Sequence, residues 1–342
     1  MRSPLIALWF TLAALLPARA WDYEGHRFIN QTALSLLPTN FPSWVREPAA
    51  QERIGFLGGE LDRWRNTPHY PLRHANNPDH YLDLEDLVPL ELSITNLPIF
   101  RYEFVAHLAR VRLTHPDRFP PIAATNDLDR TKALPGFLPW TIAEQFARLK
   151  SAFSSLAAYE KLGKPEEIDN ARANVIYLLG LLGHAVGDAS QPLHTTRHYN
   201  GWVGDNPNGY ATTRSFHGWI DGGYLRRVGI PQDAIQKLTR PAKTLRALPT
   251  TASDDPVFRE ACAFIGAQFE RMEPLYQLDK AGGLSGRPPR GLEGQAFLGE
   301  QLARAANFLA DLWLTAFEQA PPDTFLLGQL TQRNESTPLK AP

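Results

Sequence analysis

The 342-residue sequence has a single cysteine, Cys262, so it cannot form an internal disulfide bond. It also lacks an excess of charge of either sign, since 35 Lys and Arg face 36 Asp and Glu. This balance argues against binding nucleic acid through a broad basic surface, so a phosphate-bearing ligand would need a local site. Beyond the first twenty residues no apolar run is long enough to span a membrane. A chain of this length without disulfides must be held together by a large core, by bound metal, or by both.

The first twenty residues have the pattern of a secretory signal peptide. Arg2 precedes an apolar run from Leu5 to Leu16, and the segment closes with an Ala-x-Ala pattern that ends at Ala20. We expect cleavage after Ala20, which would begin the mature chain at Trp21 and export it as a secreted or periplasmic protein. The alternative, a membrane anchor, requires a longer apolar run than this one.

Helical periodicity dominates the rest of the chain, and strand-type alternation is missing, so the sequence predicts an all-α fold. We expect one domain over residues 21–330 and a polar tail over 331–342. Three helices have clear apolar stripes, and they contain Phe100, Phe104, Leu108 and Val111; Ile142, Phe146, Leu149, Phe153 and Leu156; and Leu302, Leu309, Leu312 and Trp313.

Further helices are predicted from about Pro165 to Asp188 and, more weakly, over 28–37 and 258–272. Clusters of Pro, Gly and Asn predict loops over 67–78, 115–139, 198–210 and 282–291. Composition assigns no role to the segment 115–140 and allows a surface elaboration there.

The densest group of chemically active residues runs from Gly183 to His194. His184 and Asp188 are four residues apart, so on a helix they point to one face, as two ligands of one metal would. The preceding residues are apolar and would bury both side chains, which then need partners. One such pair arises often as a simple ion pair. A second pair with the same spacing, His217 and Asp221, and the nearby His194 shift the balance toward metal binding.

Upstream candidates are His26, Asp62 and His80. Taken singly, they are equally consistent with a helix start, a solvated carboxylate and a loop histidine. The interpretation changes when their flanking residues are included, because Trp21 stands before Gly25-His26 and Asp62 precedes Arg65 by one helical turn.

Together these motifs resemble the zinc-dependent single-strand-specific nucleases of the S-one and P-one type, which share a superfamily with bacterial zinc phospholipase C. The resemblance extends from Trp21 to about Asp221. It is carried by the N-terminal Trp with Gly-His, by D-x-x-R, by His80-Tyr81-Leu82-Asp83, by the H-x-x-x-D-x-x-Q-P-x-H block of residues 184–194, and by the final H-x-x-x-D.

The resemblance implies a phospholipase C or nuclease-like fold and three zinc ions as cofactors. One zinc would be held by Asp62, His80, His184 and Asp188. A second would share Asp188 and bind His26 with the free α-amino group and carbonyl of Trp21. The third would be held by His194, His217 and Asp221. Imidazole and carboxylate ligands without cysteine agree with catalytic zinc.

The implied activity is hydrolysis of a phosphodiester by a metal-bound hydroxide, with Arg65, Asp62 and Asp188 as catalytic residues and Arg65 stabilising the charge that develops on phosphate. The substrate would be single-stranded DNA or RNA, with 3′-nucleotidase activity as an addition. Tyr81 would stack on a base and Asp83 would hydrogen-bond its edge. Packing of Tyr81 and support of His80 by Asp83 remain equal alternatives.

Two other functions compete with the nuclease. A zinc phospholipase C would use the same metal scaffold, but Asp221 stands where the lipases carry Glu, and the spacing from Trp21 to His26 is that of the nucleases. An exported protein with purely structural zinc is the second, and Arg65 beside a full set of ligands speaks against it. Substrate, base preference and oligomeric state stay open, with a monomer assumed.

Overall fold

The computed structural model describes residues 21–246, 251 and 253–336. These residues form a single all-α domain, which confirms the predicted fold class. The helices are α1 (Tyr23–Ser35), α2 (Pro48–Leu57), α3 (Glu60–Arg65), α4 (Tyr70–Asn76), α5 (Arg101–Thr114), α6 (Leu138–Leu162), α7 (Pro165–Ser190), α8 (Phe216–Gly218), α9 (Tyr224–Val228), α10 (Gln232–Leu238), α11 (Pro256–Phe269), α12 (Met272–Lys280), α13 (Glu293–Glu318) and α14 (Thr324–Ser336).

Short helical turns connect several of these helices. A π-helical turn, Trp219–Gly223, joins α8 to α9. The 3-10 turns are Ser43–Arg46, Asn77–His80, Leu84–Leu90, Pro116–Arg118, Ala124–Asn126, Pro192–Thr195 and Arg290–Leu292. Within the described ranges no β-strand forms, and extended pairing is limited to two isolated bridges, Leu82 with Gly136 and Tyr199 with Gly201.

Helix α7 lies at the centre of the domain. It packs along α6 and against α13, α2 and α1. Every residue from Leu179 to Thr196 is buried, so the last turns of α7 and the turn that follows have no solvent face. The chemically active block of the sequence is therefore part of the core.

An aromatic cluster fastens the start of α6 to its neighbours. The ring of Trp140 lies 4.6 Å from that of Phe104 and 5.3 Å from that of Phe258, which brings α5 and α11 onto α6. At the same end, the backbone N–H of Phe137 donates to the carbonyl of Pro78 at 2.7 Å. The aromatic core thus fixes the segment that carries His80.

The predicted apolar stripes of α6 and α13 are confirmed, since all of their residues are buried. In the stripe of α5, Phe100 is the exception. It occupies the N-cap position, before the first helical residue, and is 49 % exposed. The helix predicted from Pro165 to Asp188 is α7. Cys262 is buried and free, and no helix among the described residues is both long and apolar enough to cross a membrane.

The prediction of a loop over 67–78 is wrong, because α4 occupies Tyr70–Asn76. Its proline, Pro71, lies in the first turn, where the missing N–H has no helical acceptor and the fixed φ favours the helix. The start of α1 is also earlier than predicted. Asp22 caps this helix by accepting a hydrogen bond from the Gly25 N–H at 3.3 Å.

The predicted polar tail begins inside α14, which continues to Ser336. Arg333 donates to Glu167 of α7 at 2.6 Å, which attaches the polar end of this helix to the domain. Residues 337–342 lie outside the described residues, and so does the predicted signal peptide, 1–20.

Candidate metal centre

Three groups of His and Asp side chains lie together at the core of the domain, and in each the ligand atoms are within 4.8 Å of one another. We call them the His26 group (His26, His184, Asp188), the His80 group (Asp62, His80, His184) and the His194 group (His194, His217, Asp221). All eight His and Asp side chains that the sequence proposes as ligands belong to them. The other histidines, at positions 69, 74, 107, 115 and 198, lie outside the three groups.

Two glycines of α7 allow α1 to approach closely. A Cβ atom at Gly187 would lie 2.5 Å from Nδ1 of His26, and a Cβ at Gly183 would overlap the side chain of Asn30. Because neither position carries a side chain, the His26 ring stacks on the His184 ring with centroids 4.0 Å apart. The two glycines thus allow α1 and α7 to pack closely, which brings the candidate ligands His26 and His184 together.

Asp188 belongs to the His26 group and also contacts the His80 group. Its Oδ1 lies 3.4 Å from Nε2 of His26. Its Oδ2 lies 2.8 Å from Nδ1 of His80 and 3.2 Å from Nε2 of His184. One carboxylate therefore turns each oxygen toward a different group, which is the arrangement that a bridging ligand requires.

The His194 group is assembled from two chain segments. His194 lies in the turn after α7, His217 lies in α8, and Asp221 lies in the π-helical turn. Nε2 of His217 is 3.1 Å from Nε2 of His194 and 2.6 Å from Oδ2 of Asp221. Turns of the π type occur often at functional sites.

Several nitrogen and oxygen atoms of the side chains in these groups are buried without a hydrogen-bond partner among the described residues. They are both ring nitrogens of His26, Oδ1 of Asp62, Nε2 of His80, Oδ1 of Asp188, Nδ1 of His217 and Oδ2 of Asp221. Their neighbours are close but not aligned as hydrogen bonds. A buried polar atom left unpaired costs about 1–3 kcal/mol, so a cluster of them calls for a shared partner. A divalent cation fits this need for the atoms that face a group, such as Nε2 of His26, Oδ1 of Asp188 and Oδ2 of Asp221.

Hydrogen bonds behind the ligands fix their orientation. Nδ1 of His184 donates to the carbonyl of Gly58 at 2.6 Å, and Nδ1 of His194 donates to the carbonyl of His80 at 2.5 Å. Each bond leaves Nε2 of that ring free to bind a metal. Gln191 donates to Oδ1 of Asp221 at 2.5 Å and leaves Oδ2 facing the group. The sequence motif contains Gln191, but its spacing alone gave no role for it.

The charge states of His80, His217 and Asp188 suit a cation, whereas the raised pKa of Asp221 favours its neutral form. Burial lowers the pKa of His80 to about 4 and that of His217 to about 3, so both rings are neutral near pH 7, the form that binds metal. Burial alone would raise the pKa of Asp188, but His184 and His194 beside it hold this pKa well below its usual range. For Asp221, burial prevails and raises the pKa well above that range.

Trp21 is fully buried beside the end of α7. Its indole Nε1 donates to Oγ of Ser190 at 3.0 Å, and Ser190 in turn donates to the carbonyl of Gly187 at 2.7 Å. The side chain is therefore anchored next to the turn that carries Asp188. A free α-amino group at Trp21 requires removal of residues 1–20, so its role as a ligand stays a prediction.

A cavity of about 650 Å³ opens onto the His194 group. Its lining comes from four parts of the chain, namely Arg65, Asn66, Arg73 and Asn77; Tyr81, Asp83 and Asp86; Thr125, Asn126, Leu128, Asp129, Thr131, Lys132 and Leu134; and Leu193, His194, Tyr199 and His217. The cavity therefore joins two candidate ligands to a large, mixed polar and apolar surface.

Arg65 and Asp62 share the short helix α3, one turn apart. Nη1 of Arg65 lies 3.8 Å from Oδ1 of Asp62, and the arginine side chain is 14 % exposed. The guanidinium thus sits between a candidate metal ligand and the cavity. That is a suitable position for contact with an anionic group.

Two tyrosines face this cavity. Tyr81 is tethered, since its hydroxyl donates to the carbonyl of Leu134 at 3.4 Å. Tyr199 is 45 % exposed, and its ring lies 5.5 Å from that of His217. Sequence reasoning missed Tyr199, because it lies in a loop without periodicity. Asp83 also lines the cavity.

The segment 125–134 forms one wall of the cavity. Arg73 of α4 pairs with Asp129 at 3.0 Å, and Nδ1 of His74 donates to the Asp129 carbonyl at 2.8 Å. Asn77 donates to Thr131 at 3.3 Å. These contacts make the segment part of the cavity wall, whereas its composition assigned it no role.

Comparisons with protein-family models, with curated proteins and with solved structures give no match to this chain. The functional assignment therefore rests on the side chains themselves. They form buried His and Asp groups that could hold metal ions, beside a cavity that contains Arg65.

Proposed function

We propose that this protein is a zinc-dependent phosphodiesterase that hydrolyses single-stranded DNA or RNA. The observation that carries the proposal is the double role of His194 and His217, which belong to a candidate metal group and also line the cavity. A substrate in the cavity would therefore lie against the metal group.

The ligand chemistry supports zinc. Each group combines imidazoles with a carboxylate and contains no thiolate, a set typical of catalytic zinc with open positions. The three groups favour three ions, with Asp188 shared between the His26 and His80 groups. When bound, zinc would supply Lewis acidity by polarising a phosphoryl oxygen and by making water nucleophilic near neutral pH.

The protein's own side chains would position and stabilise the substrate. Arg65 can donate to the phosphoryl oxygens, where negative charge accumulates during phosphoryl transfer. Gln191 holds Asp221 so that one carboxylate oxygen stays turned to the metal group. Burial of the ligands excludes water and strengthens these interactions.

The cavity supports a nucleotide as the group recognised. Tyr81 and Tyr199 offer aromatic rings for base stacking, which is tolerant of sequence. Asp83 offers a hydrogen-bond partner for a base edge. The volume of about 650 Å³ lies within the usual range for small-molecule sites. We also propose, from the first twenty residues, that the protein is exported and that cleavage leaves Trp21 as the first residue.

The test uses protein that begins at Trp21, with zinc content measured and hydrolysis assayed on single-stranded DNA, RNA, a 3′-nucleotide and phosphatidylcholine vesicles. We expect close to three zinc ions per chain, activity on the nucleic acids, and loss of both after chelation. Hydrolysis of phosphatidylcholine alone would replace the nuclease by a phospholipase C. Active protein without zinc would overturn the proposal entirely.

A matched pair of variants connects activity to the ligand groups. Asp188→Asn removes a charge and should lose most zinc and activity, because two groups depend on it. His107→Gln is the control, since this histidine lies outside the groups and contacts the carbonyl of Leu90 at 2.8 Å. Equal zinc content and rate in both variants would contradict the assignment.

A further inference from the structure

Asp22 connects chain segments that carry ligands of the His26 group and of the His194 group. It directly follows Trp21 and caps α1, the helix that carries His26. At the same time its backbone N–H donates to the carbonyl of Asp221 at 3.0 Å. The start of α1 is thus bonded to the backbone of a ligand in the His194 group.

A side-chain contact reinforces this connection. The Asp22 carboxylate forms an ion pair with Arg226 of α9, one turn beyond the π-helical turn. Gly222 lies between them, and a Cβ at this position would collide with both the Asp22 carboxylate and the Arg226 guanidinium. The pair therefore depends on a glycine in the same turn that carries Asp221.

The ion pair contributes little to overall stability, because the Arg226 side chain is 64 % exposed and exposed pairs are weak. The position of the ion pair, between α1 and α9, matters more here than its contribution to stability. The Asp22 side chain is only 14 % exposed, and it accepts a hydrogen bond from Gly25 as well. One residue thus connects the N-terminus of α1 with the segment 221–226.

We propose that Asp22, Gly222 and Arg226 form a latch that couples metal binding in the His194 group to metal binding in the His26 group. The inference rests on the proposed function, since it requires both groups to bind zinc. An ion that orders Asp221 holds the Asp221 carbonyl and α9 in place, and through Asp22 it holds Trp21 and α1. The reverse effect must be equally large, because coupling between two sites is reciprocal.

The experiment titrates metal-free protein beginning at Trp21 with zinc against a competing chelating dye, and it reads the number of ions and their affinities. Asp22→Asn retains a capping oxygen but removes the charge. Arg226→Gln removes the partner's charge. We expect each variant to bind its weakest zinc about 2- to 5-fold less tightly, the range that a weak, exposed ion pair allows, with the double variant no worse than either.

The two variants change the net charge in opposite directions, which distinguishes the latch from a simple effect of net charge on zinc affinity. If net charge alone governed binding, loss of the Asp22 carboxylate would weaken zinc binding and loss of the Arg226 guanidinium would strengthen it. The latch predicts weakening in both, and also in Gly222→Ala, which keeps both charges. Arg227→Gln is the matched control, because its guanidinium contacts the carbonyl of Gly286 instead, at 3.0 Å.

Thermal unfolding of the metal-free variants checks that each still folds, and we expect melting temperatures close to that of the unmodified protein. Unchanged zinc affinities in Asp22→Asn and Arg226→Gln, in a protein that binds zinc and cleaves nucleic acid, would overturn the latch alone. Unmodified protein that binds no zinc would overturn the proposed function and the latch with it.

Discussion

The substitution Gly187→Ala adds one methyl group where α7 meets α1. The new Cβ would lie 2.5 Å from Nδ1 and 2.8 Å from Cε1 of His26, and 3.2 Å from Cδ1 of Ile29. The imidazole has no room to retreat, since it is fully buried and stacks on His184. The two helices must therefore move apart, or the His26 ring must leave its position.

Two opposing effects determine how much Gly187→Ala changes the free energy of unfolding. Alanine stabilises a helix interior relative to glycine by about 0.5–1 kcal/mol, whereas overpacking a core costs about 1–3 kcal/mol. We expect the clash to dominate, so the free energy of unfolding of the metal-free variant falls by about 1–2 kcal/mol. Displacement of His26 should also lower the zinc content after reconstitution.

Urea denaturation followed by circular dichroism, with chelator present, measures the first effect, and elemental analysis measures the second. Gly328→Ala in α14 is the control, because among the described residues nothing beyond the backbone of its own helix lies within 4 Å of the added Cβ. It should raise the free energy of unfolding by about 0.5–1 kcal/mol and leave zinc content unchanged. The reasoning about close approach fails if Gly187→Ala is as stable as Gly328→Ala and binds the full zinc complement.

Three further predictions concern the carboxylates and the tyrosines. Asp188→Asn should lose more zinc by elemental analysis than Asp221→Asn, because Asp188 contacts His26 with one oxygen and His80 with the other; equal losses would contradict the bridge. Burial, with Asp86 and Glu85 nearby, raises the pKa of Asp83 well above its usual range. The unfolded chain loses the Asp83 proton at about pH 4 while the folded protein retains it, so the folded state loses stability as pH rises past about 4. Asp83→Asn should therefore increase stability to urea at pH 7 and have no effect at pH 3, and the opposite pattern would refute this. Tyr199→Ala should weaken nucleotide binding, measured by calorimetry, by about 1–3 kcal/mol, and Tyr81→Ala less, because the tethered ring also packs; an equal loss on a substrate without a base would argue against stacking.

Sequence spacing predicted those features of the site that depend on local geometry. A four-residue interval on a helix places His184 and Asp188 on one face, and the apolar residues around them predict burial. The same reasoning described α6 and α13 because their stripes repeat over many turns. Local periodicity thus predicts the elements and the ligand pairs that lie within them.

Features that depend on contacts distant in sequence could not be predicted. The wall formed by residues 125–134 depends on Asp129 meeting Arg73, and the latch depends on Asp22 meeting Arg226 across most of the chain. Neither contact leaves a periodic pattern in the sequence. The helix α4 was missed for a different reason, because Pro71 signals a break unless its position in the first turn is known.

The burial of Leu179–Thr196 limits the substitutions that this sequence can accumulate during evolution. A surface helix accumulates neutral substitutions on its exposed face, but this stretch has no exposed face on which they could occur. Its glycines contact neighbouring helices, and its polar residues include three candidate ligands, His184, Asp188 and His194, together with Gln191, which orients Asp221. Tolerated variation in α7 should therefore concentrate in its first turns, around Glu166 and Asn170, and a library that randomises the two halves of the helix separately should recover folded variants mainly from the first.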